Sequence, residues 1–194
     1  RLCRERGVIS YVDATASIVG NPLPVDAWQL DIVTVGLQKC LGGPSGSAPI
    51  TMTEAVAEKI RERWHVEKGI APAGFVPGTG SRIPSNYFDL AMIMAYWSEQ
   101  RLNHHTEATS MLYGARECAR CVVEEGLDAC LARHALGSRA MVSGLQALGL
   151  ELFGHLPTKM QNVTGVFIPP GLDGEAIRAR SEEHTSELQS RMFI

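Results

Sequence analysis

The sequence predicts an α/β protein with a mostly parallel sheet, and two observations lead to this fold class. Short apolar runs alternate along the chain with longer segments in which apolar residues recur at helical spacing. Several of these runs end at polar residues. Since α/β sheets bind ligands at the carboxyl ends of their strands, we expect the functional residues to follow the apolar runs.

Three apolar runs near the start of the chain are predicted strands. A buried strand over residues 8–12 ends at Asp13, a second strand covers residues 31–35, and a third covers residues 48–51. The polar residues after the first two strands are therefore the first candidates for a binding site.

Helical periodicity predicts several helices in the rest of the chain. Thr53 is the predicted N-cap of the first of them and Asp173 the N-cap of the last. Gly137 is expected to interrupt the helix that contains it. The predicted helices cover residues 54–64, 88–101, 107–125 and 127–148, a loop covers residues 68–84, and short strands cover residues 150–153 and 163–168.

The pattern changes near Gly126 from parallel-sheet to helix-plus-hairpin character, which predicts a domain boundary. Residues 1–125 are expected to belong to a large domain and residues 126–179 to the start of a small α+β domain. The polar stretch over residues 180–194 lacks an apolar face and matches the translation of a common sequencing-library adapter. We expect this stretch to be non-native and exclude it from the predicted fold.

Charge, hydropathy and cysteine content exclude several classes of function. The net charge is -3, from 18 Lys and Arg against 21 Asp and Glu, so no basic field indicates a nucleic acid or a membrane surface as partner. No apolar stretch has the roughly 20 residues that span a bilayer, and the polar N-terminus has no signal-peptide core, so the cytoplasm is the expected compartment. The irregular cysteine spacing suits reduced thiols, and Cys118 and Cys121, without a second pair, are expected to pack in a helix rather than bind metal.

Two polar residues follow neighbouring predicted strands, Asp13 after the first and Lys39 after the second. Both can therefore point into one crevice, as a pyridoxal ring requires: a carboxylate belongs at the ring nitrogen, and an amine forms the Schiff base. Each residue alone has a simpler interpretation, since an Asp at a strand end is often a turn cap and a Lys is usually a solvated charge. The Gly-Pro-rich loop after Lys39 is not a nucleotide P-loop, because the lysine precedes its glycines.

Together with Thr15, two positions after Asp13, and Gln38, directly before Lys39, this segment resembles the class V pyridoxal-phosphate-dependent aminotransferases. The resemblance implies that Lys39 is the Schiff-base lysine and later the base that moves a proton between the substrate α-carbon and cofactor atom C4′. It implies that Asp13 pairs with the pyridinium nitrogen and that Thr15 packs against the ring face. Gln38 would bond the cofactor phosphate or its neighbourhood.

A second segment, Asn103-His104-His105-Thr106, resembles the branch of this family whose amino donor is ureidoglycine. The resemblance implies a homodimer in which Thr106 donates its hydroxyl to the phosphate of the neighbouring subunit's cofactor. Asn103 stands where alanine-using relatives commonly have tyrosine, so its amide is expected to recognise the ureido group. The two histidine side chains are expected to diverge, which argues against a metal site.

The resemblance extends to Ala179 and implies the fold-type I transferase architecture, with residues 1–125 in the large cofactor-binding domain. One departure is Val19-Gly20, where many relatives have paired glycines. The implied function is transfer of the amino group of ureidoglycine to glyoxylate in purine breakdown, with alanine or serine as alternative donors. A different outcome is that the polypeptide as written is inactive, because the resemblance places a phosphate-binding turn and a stacking aromatic ring before Arg1 and a substrate-carboxylate arginine after Ala179.

Overall fold

A computed structural model describes residues 2–64, 74, 76, 84–99, 101 and 103–182. These residues form two compact units that divide after Leu127. Most of the predicted loop over residues 68–84 lies outside the described residues, as does the part of the predicted adapter segment from 183 to 194. The domain assignment and the adapter interpretation therefore stay predictions.

The first unit contains a three-stranded sheet in the order β1-β2-β3. β1 (Tyr11–Asp13) is parallel to β2 (Ile32–Thr34), and β2 is antiparallel to β3 (Ile50–Met52). Asp13 stands opposite Thr34 where the parallel pair ends. The second and third strands thus lie close to their predicted positions.

The prediction that the first strand is buried from residue 8 is wrong. Val8 and Ile9 are 56% and 45% exposed, and the strand begins only at Tyr11. The helix α1 (Leu2–Glu5) ends through Gly7, whose φ is +64°, and the Val8 amide donates back to the Cys3 carbonyl at 2.8 Å. Because this helix-ending turn uses the Val8 amide, the chain cannot begin strand pairing there.

The core of the first unit surrounds the parallel strand pair. Ala14, Val33 and Val35 are the buried members of this cluster, with exposures of 0%, 3% and 8%. Partly buried apolar side chains pack around them: Val12, Ile18, Leu23, Val25, Leu30 and Leu41. This packing holds the two strand ends where the candidate site residues follow.

Val19 has an uncommon backbone conformation for a β-branched residue. Its φ is +67°, in the left-handed region, and its side chain is only 6% exposed. The left-handed conformation costs a non-glycine residue roughly 1–2 kcal/mol. Burial of the side chain therefore offsets strain at a position where a glycine would have none.

The remaining helices of the first unit are shorter than or close to their predicted lengths. The helix α4 (Leu90–Tyr96) begins after Asp89, not at Phe88 as predicted, because the Asp89 carboxylate accepts the Ala91 amide at 2.9 Å as an N-cap. Thr53 occupies the predicted N-cap position of α3 (Glu54–Arg61), but its hydroxyl makes no capping bond. These helices are α2 (Val25–Trp28), α3 (Glu54–Arg61), α4 (Leu90–Tyr96) and α5 (Thr109–Glu125).

The second unit is mainly helical. The helix α6 (Leu127–Ala147) is continuous, so the predicted interruption near Gly137 is wrong: a glycine costs about 1 kcal/mol relative to alanine, and the flanking turns tolerate it. The two predicted short strands meet only in a single bridge between Leu152 and Val166. The prediction of an Asp173 cap is confirmed, since its carboxylate accepts the Glu175 amide at 2.9 Å at the start of α7 (Gly174–Glu182).

A 3₁₀ turn at Leu156–Thr158 precedes Lys159, which fastens the following loop to α6. The Lys159 ammonium donates to the Ser138 hydroxyl at 2.8 Å and to the carbonyls of Met160 and Val163 at 2.8 and 3.0 Å. Three acceptors use the three donors of an ammonium group, so this lysine is structural. None of the helices in the described ranges is long and apolar enough to cross a membrane.

Candidate active site

The candidate site begins where β1 ends. The Asp13 carboxylate is exposed and accepts the Thr15 amide at 2.9 Å through Oδ1, which forms a tight turn directly after the strand. The sheet continues for one more residue through the Ala14 amide and the Thr34 carbonyl, 2.8 Å apart. This turn holds the Asp13 carboxylate at the carboxyl end of a strand.

The electrostatics of Asp13 suit an anion. Its pKa lies below the usual range, first because of a hydrogen bond from the Thr15 hydroxyl and second because of the bond from the Thr15 amide, while slight burial opposes both. The carboxylate is therefore ionised at neutral pH. A negative group held in this way can stabilise a cation placed at the strand end.

Thr15 and Gln38 converge over Gly36. A Cβ atom added to Gly36 would lie 2.5 Å from Gln38 Oε1 and 2.9 Å from Thr15 Cγ2, so any side chain there would displace one or both. Sequence reasoning missed Gly36. The signal that could have identified it is a glycine between the buried residues Val35 and Leu37, since a glycine in an apolar run often marks a close approach.

Lys39 lies in the turn that follows. Its side chain is half-buried, and its carbonyl accepts the Gly42 amide at 2.9 Å, while the Gly43 amide donates to the Leu37 carbonyl at 2.8 Å. Gly43 packs closely on α5: an added Cβ would lie 2.6 Å from the Cys118 sulfur. Backbone bonds and close packing together hold the turn that carries Lys39.

The second predicted segment has its histidines packed and its flanking residues exposed. Asn103 and Thr106 are exposed, whereas the rings of His104 and His105 are half-buried. The expectation that the two rings diverge is wrong, because their Nδ1 atoms lie 2.7 Å apart. This is a hydrogen-bond distance, and two nitrogens on one tetrahedral zinc ion would be about 3.3 Å apart.

The structure thus brings Asp13, Thr15 and Gln38 together, with Lys39 next along the chain. Asn103 and Thr106 lie in a separate segment, and within the part of the chain that the structure describes no hydrogen bond joins either of them to that cluster. Across the described ranges, no group of three or more His, Cys, Asp or Glu side chains could hold a metal ion.

Comparison with known proteins decides the family. A family model for class V aminotransferases matches residues 1–177. The chain belongs to this family. The chain is 51% identical over 178 residues to the (S)-ureidoglycine–glyoxylate transaminase of Bacillus subtilis (strain 168), an alignment that covers 91% of this chain and 43% of that protein.

Solved structures give the same family and the fold-type I architecture. The crystal structure of the ureidoglycine-glyoxylate aminotransferase from Bacillus subtilis matches with a TM-score of 0.79 at 46% identity, covering 91% of this chain and 42% of the other. An alanine–glyoxylate aminotransferase from Nostoc sp. matches with a TM-score of 0.79 at 31% identity, covering 94% and 44%. The chain therefore spans about two fifths of the length of the relatives that it matches.

Proposed function

We propose that the full-length protein that contains this chain is a pyridoxal-phosphate-dependent aminotransferase that moves the amino group of ureidoglycine to glyoxylate. Membership of the class V family supports the reaction type, and 51% identity to a ureidoglycine–glyoxylate transaminase supports the substrates. The observation that carries the proposal is the cluster of Asp13, Thr15 and Gln38 at the ends of two parallel strands, directly before Lys39.

The residues of this cluster fit pyridoxal phosphate. Asp13 offers an ionised carboxylate, which suits a protonated ring nitrogen. Gly36 lets the Thr15 methyl group and the Gln38 amide oxygen approach the main chain more closely than a Cβ would allow. Lys39 supplies the primary amine that the cofactor aldehyde requires.

Each side chain has a distinct task in the proposed reaction. When bound, the cofactor supplies an electron sink for the charge released at the substrate α-carbon. Asp13 holds a proton on the ring nitrogen, and Lys39 Nζ carries the proton removed from the α-carbon. Thr15 packs against one ring face, and Gln38 bonds the phosphate or its neighbourhood.

We further propose that Asn103 and Thr106 complete the site of a neighbouring subunit in a homodimer. Thr106 would donate its hydroxyl to the phosphate, and the Asn103 amide would recognise the ureido group of the donor. Their exposure in the single chain leaves both side chains available for this purpose. The proposed setting is purine breakdown in the cytoplasm, with glyoxylate as acceptor.

Cofactor attachment tests the site. The full-length protein is incubated with pyridoxal phosphate, reduced with borohydride and digested, and the labelled peptide is identified by mass spectrometry. We expect the label on Lys39 and its loss in Lys39→Ala, whereas Lys59→Ala, which removes an exposed lysine of α3, should keep it. A label on a peptide without Lys39 would overturn the assignment.

Amino-donor preference tests the substrate. Glycine formation from glyoxylate is followed with ureidoglycine, alanine and serine at equal concentrations. We expect kcat/KM to be highest with ureidoglycine. A higher value with alanine or serine would assign the protein to the other glyoxylate aminotransferases.

A further inference from the structure

We propose that His104 and His105 are positioning residues that anchor the segment carrying Asn103 and Thr106. The inference rests on the proposed function for those two outer residues. The two histidines lie between them in the chain, and adjacent Cα atoms are about 3.8 Å apart, so a displacement of the rings acts on both neighbours directly.

The contact between His104 and the Asn86 main chain determines which atom donates in each hydrogen bond of the pair. His104 Nε2 lies 2.6 Å from the main-chain oxygen of Asn86, which is only an acceptor, so Nε2 carries the hydrogen. In a neutral His104 ring, Nδ1 then accepts. His105 Nδ1, 2.7 Å away, is therefore the donor of the bond between the two rings.

Glu107 contacts His105 at the ring nitrogen that does not face His104. Its Oε1 atom lies 3.2 Å from His105 Nε2 and has no hydrogen-bond partner in the described structure, so the contact is one between charges. Because His105 Nδ1 is already the donor to His104, the ring attracts this carboxylate as an imidazolium, which carries hydrogens on both nitrogens. The two rings are thus held between a main-chain carbonyl and a carboxylate. Both bounding groups come from the described protein, so the arrangement needs no bound ion.

Tyrosine rings border the pair. Tyr87 is nearly parallel to His104, with ring centroids 6.2 Å apart and an interplanar angle of 17°. Tyr96 lies 5.1 Å from His105 and 6.4 Å from His104 by the same measure. These contacts restrict rotation of the imidazoles, so the segment has one preferred placement while Asn103 and Thr106 remain exposed.

Two substitutions of His104 separate its two hydrogen bonds. His104→Gln keeps an amide near the position of Nε2 and can still donate to the Asn86 carbonyl, whereas His104→Asn keeps an amide near Nδ1 and loses that donor. We expect His104→Asn to raise both the KM for ureidoglycine and the pyridoxal-phosphate dissociation constant by about fivefold, which is the usual effect of one lost hydrogen bond. His104→Gln should retain values closer to the wild type, and kcat should change less than KM in both.

The readouts distinguish anchoring from simple packing. His155→Gln changes an exposed histidine of the second unit and should leave KM and cofactor dissociation unchanged. If both His104 variants lower only the melting temperature and keep KM and cofactor dissociation within about twofold of wild type, positioning is refuted. Wild-type protein that does not use ureidoglycine would refute the proposed donor instead, and cofactor dissociation would still test the anchor through Thr106.

Glu107→Gln provides the same test from the other end, with little change in shape. It keeps the protein assayable if the His104 variants do not fold. We expect a smaller rise in the same two constants, because the neutral amide removes the charge that attracts the His105 imidazolium. Constants unchanged in Glu107→Gln, together with His104 variants that are unfolded or unchanged, would overturn the proposal.

Discussion

Gly36→Ala should weaken cofactor binding although Gly36 itself is not one of the residues that would contact the cofactor in the proposed site. The new Cβ would lie 2.5 Å from Gln38 Oε1 and 2.9 Å from Thr15 Cγ2. Gln38 is exposed and can rotate away, but the branched side chain of Thr15 has less freedom. Gln38 therefore leaves its position first, and Thr15 shifts by a smaller distance.

The expected magnitude follows from two opposing effects. An extra methyl group in a tight space costs about 1–3 kcal/mol, whereas replacing glycine by alanine at an ordinary φ gains about 0.4–1 kcal/mol through the unfolded chain. The free energy of unfolding should therefore fall by about 1–2 kcal/mol. A lost hydrogen bond to a charged phosphate removes about 1.5–3 kcal/mol of cofactor-binding free energy, which weakens the affinity at least tenfold.

The assay is titration of the full-length apoprotein with pyridoxal phosphate, alongside thermal unfolding. Gly137→Ala is the matched control, because an added Cβ there meets no atom within 4 Å and the residue lies in α6. It should stabilise the protein by up to about 1 kcal/mol and leave cofactor affinity unchanged. In a double variant, Gln38→Ala should remove part of the cost of Gly36→Ala. Wild-type cofactor affinity in Gly36→Ala would refute the argument that Gly36 keeps Gln38 in place.

Three further outcomes are expected. Asn103→Tyr should lower kcat/KM for ureidoglycine more than for alanine, since a lost pair of hydrogen bonds to a polar substrate costs several kcal/mol, and equal losses would refute the specificity role. Thr15→Val should raise the pKa of Asp13 towards its usual value, because it removes the hydrogen bond from the Thr15 hydroxyl. Since the pKa is lowered in the folded protein, the loss of stability relative to wild type should be present at neutral pH and disappear in acid below that pKa. Identical titration curves of the Asp13 carboxyl in the two proteins, followed by NMR, would contradict this. Val19→Gly should lower the free energy of unfolding by about 1 kcal/mol, measured by denaturant unfolding. Relief of the left-handed strain gains roughly 1–2 kcal/mol, but the lost burial of the side chain and the greater entropy of the unfolded chain outweigh this gain. An increase in stability would show that the strain dominates.

Features set by neighbouring residues were predictable from the sequence. The Asp173 cap depends on a carboxylate two residues before an amide, and the sequence indicates it directly. The class V family followed from Asp13, Gln38 and Lys39 in their order along the chain, and the family match confirms it. The roles of these three residues remain predictions.

Features that depend on competition between contacts were not predictable in the same way. Val8 belongs to an apolar run, but its amide bonds to the Cys3 carbonyl and ends a helix. Periodicity alone does not show whether such a residue pairs in a strand or ends a helix. Gly137 has a low helix propensity, yet the cost is small beside the cooperativity of a 21-residue helix. The convergence of His104 and His105 depends on Asn86, which is 18 residues away in sequence from His104.

The hydrogen bond from His104 to Asn86 uses a main-chain oxygen, and this affects how the two positions would vary among related proteins. Any amino acid at position 86 presents the same carbonyl oxygen, so the His104 bond places no demand on the identity of that side chain. Positions 86 and 104 would then show no correlated substitution among related sequences, even though they are in contact. Methods that infer contacts from co-varying positions would miss this one, and its presence in a relative has to be established from atomic coordinates.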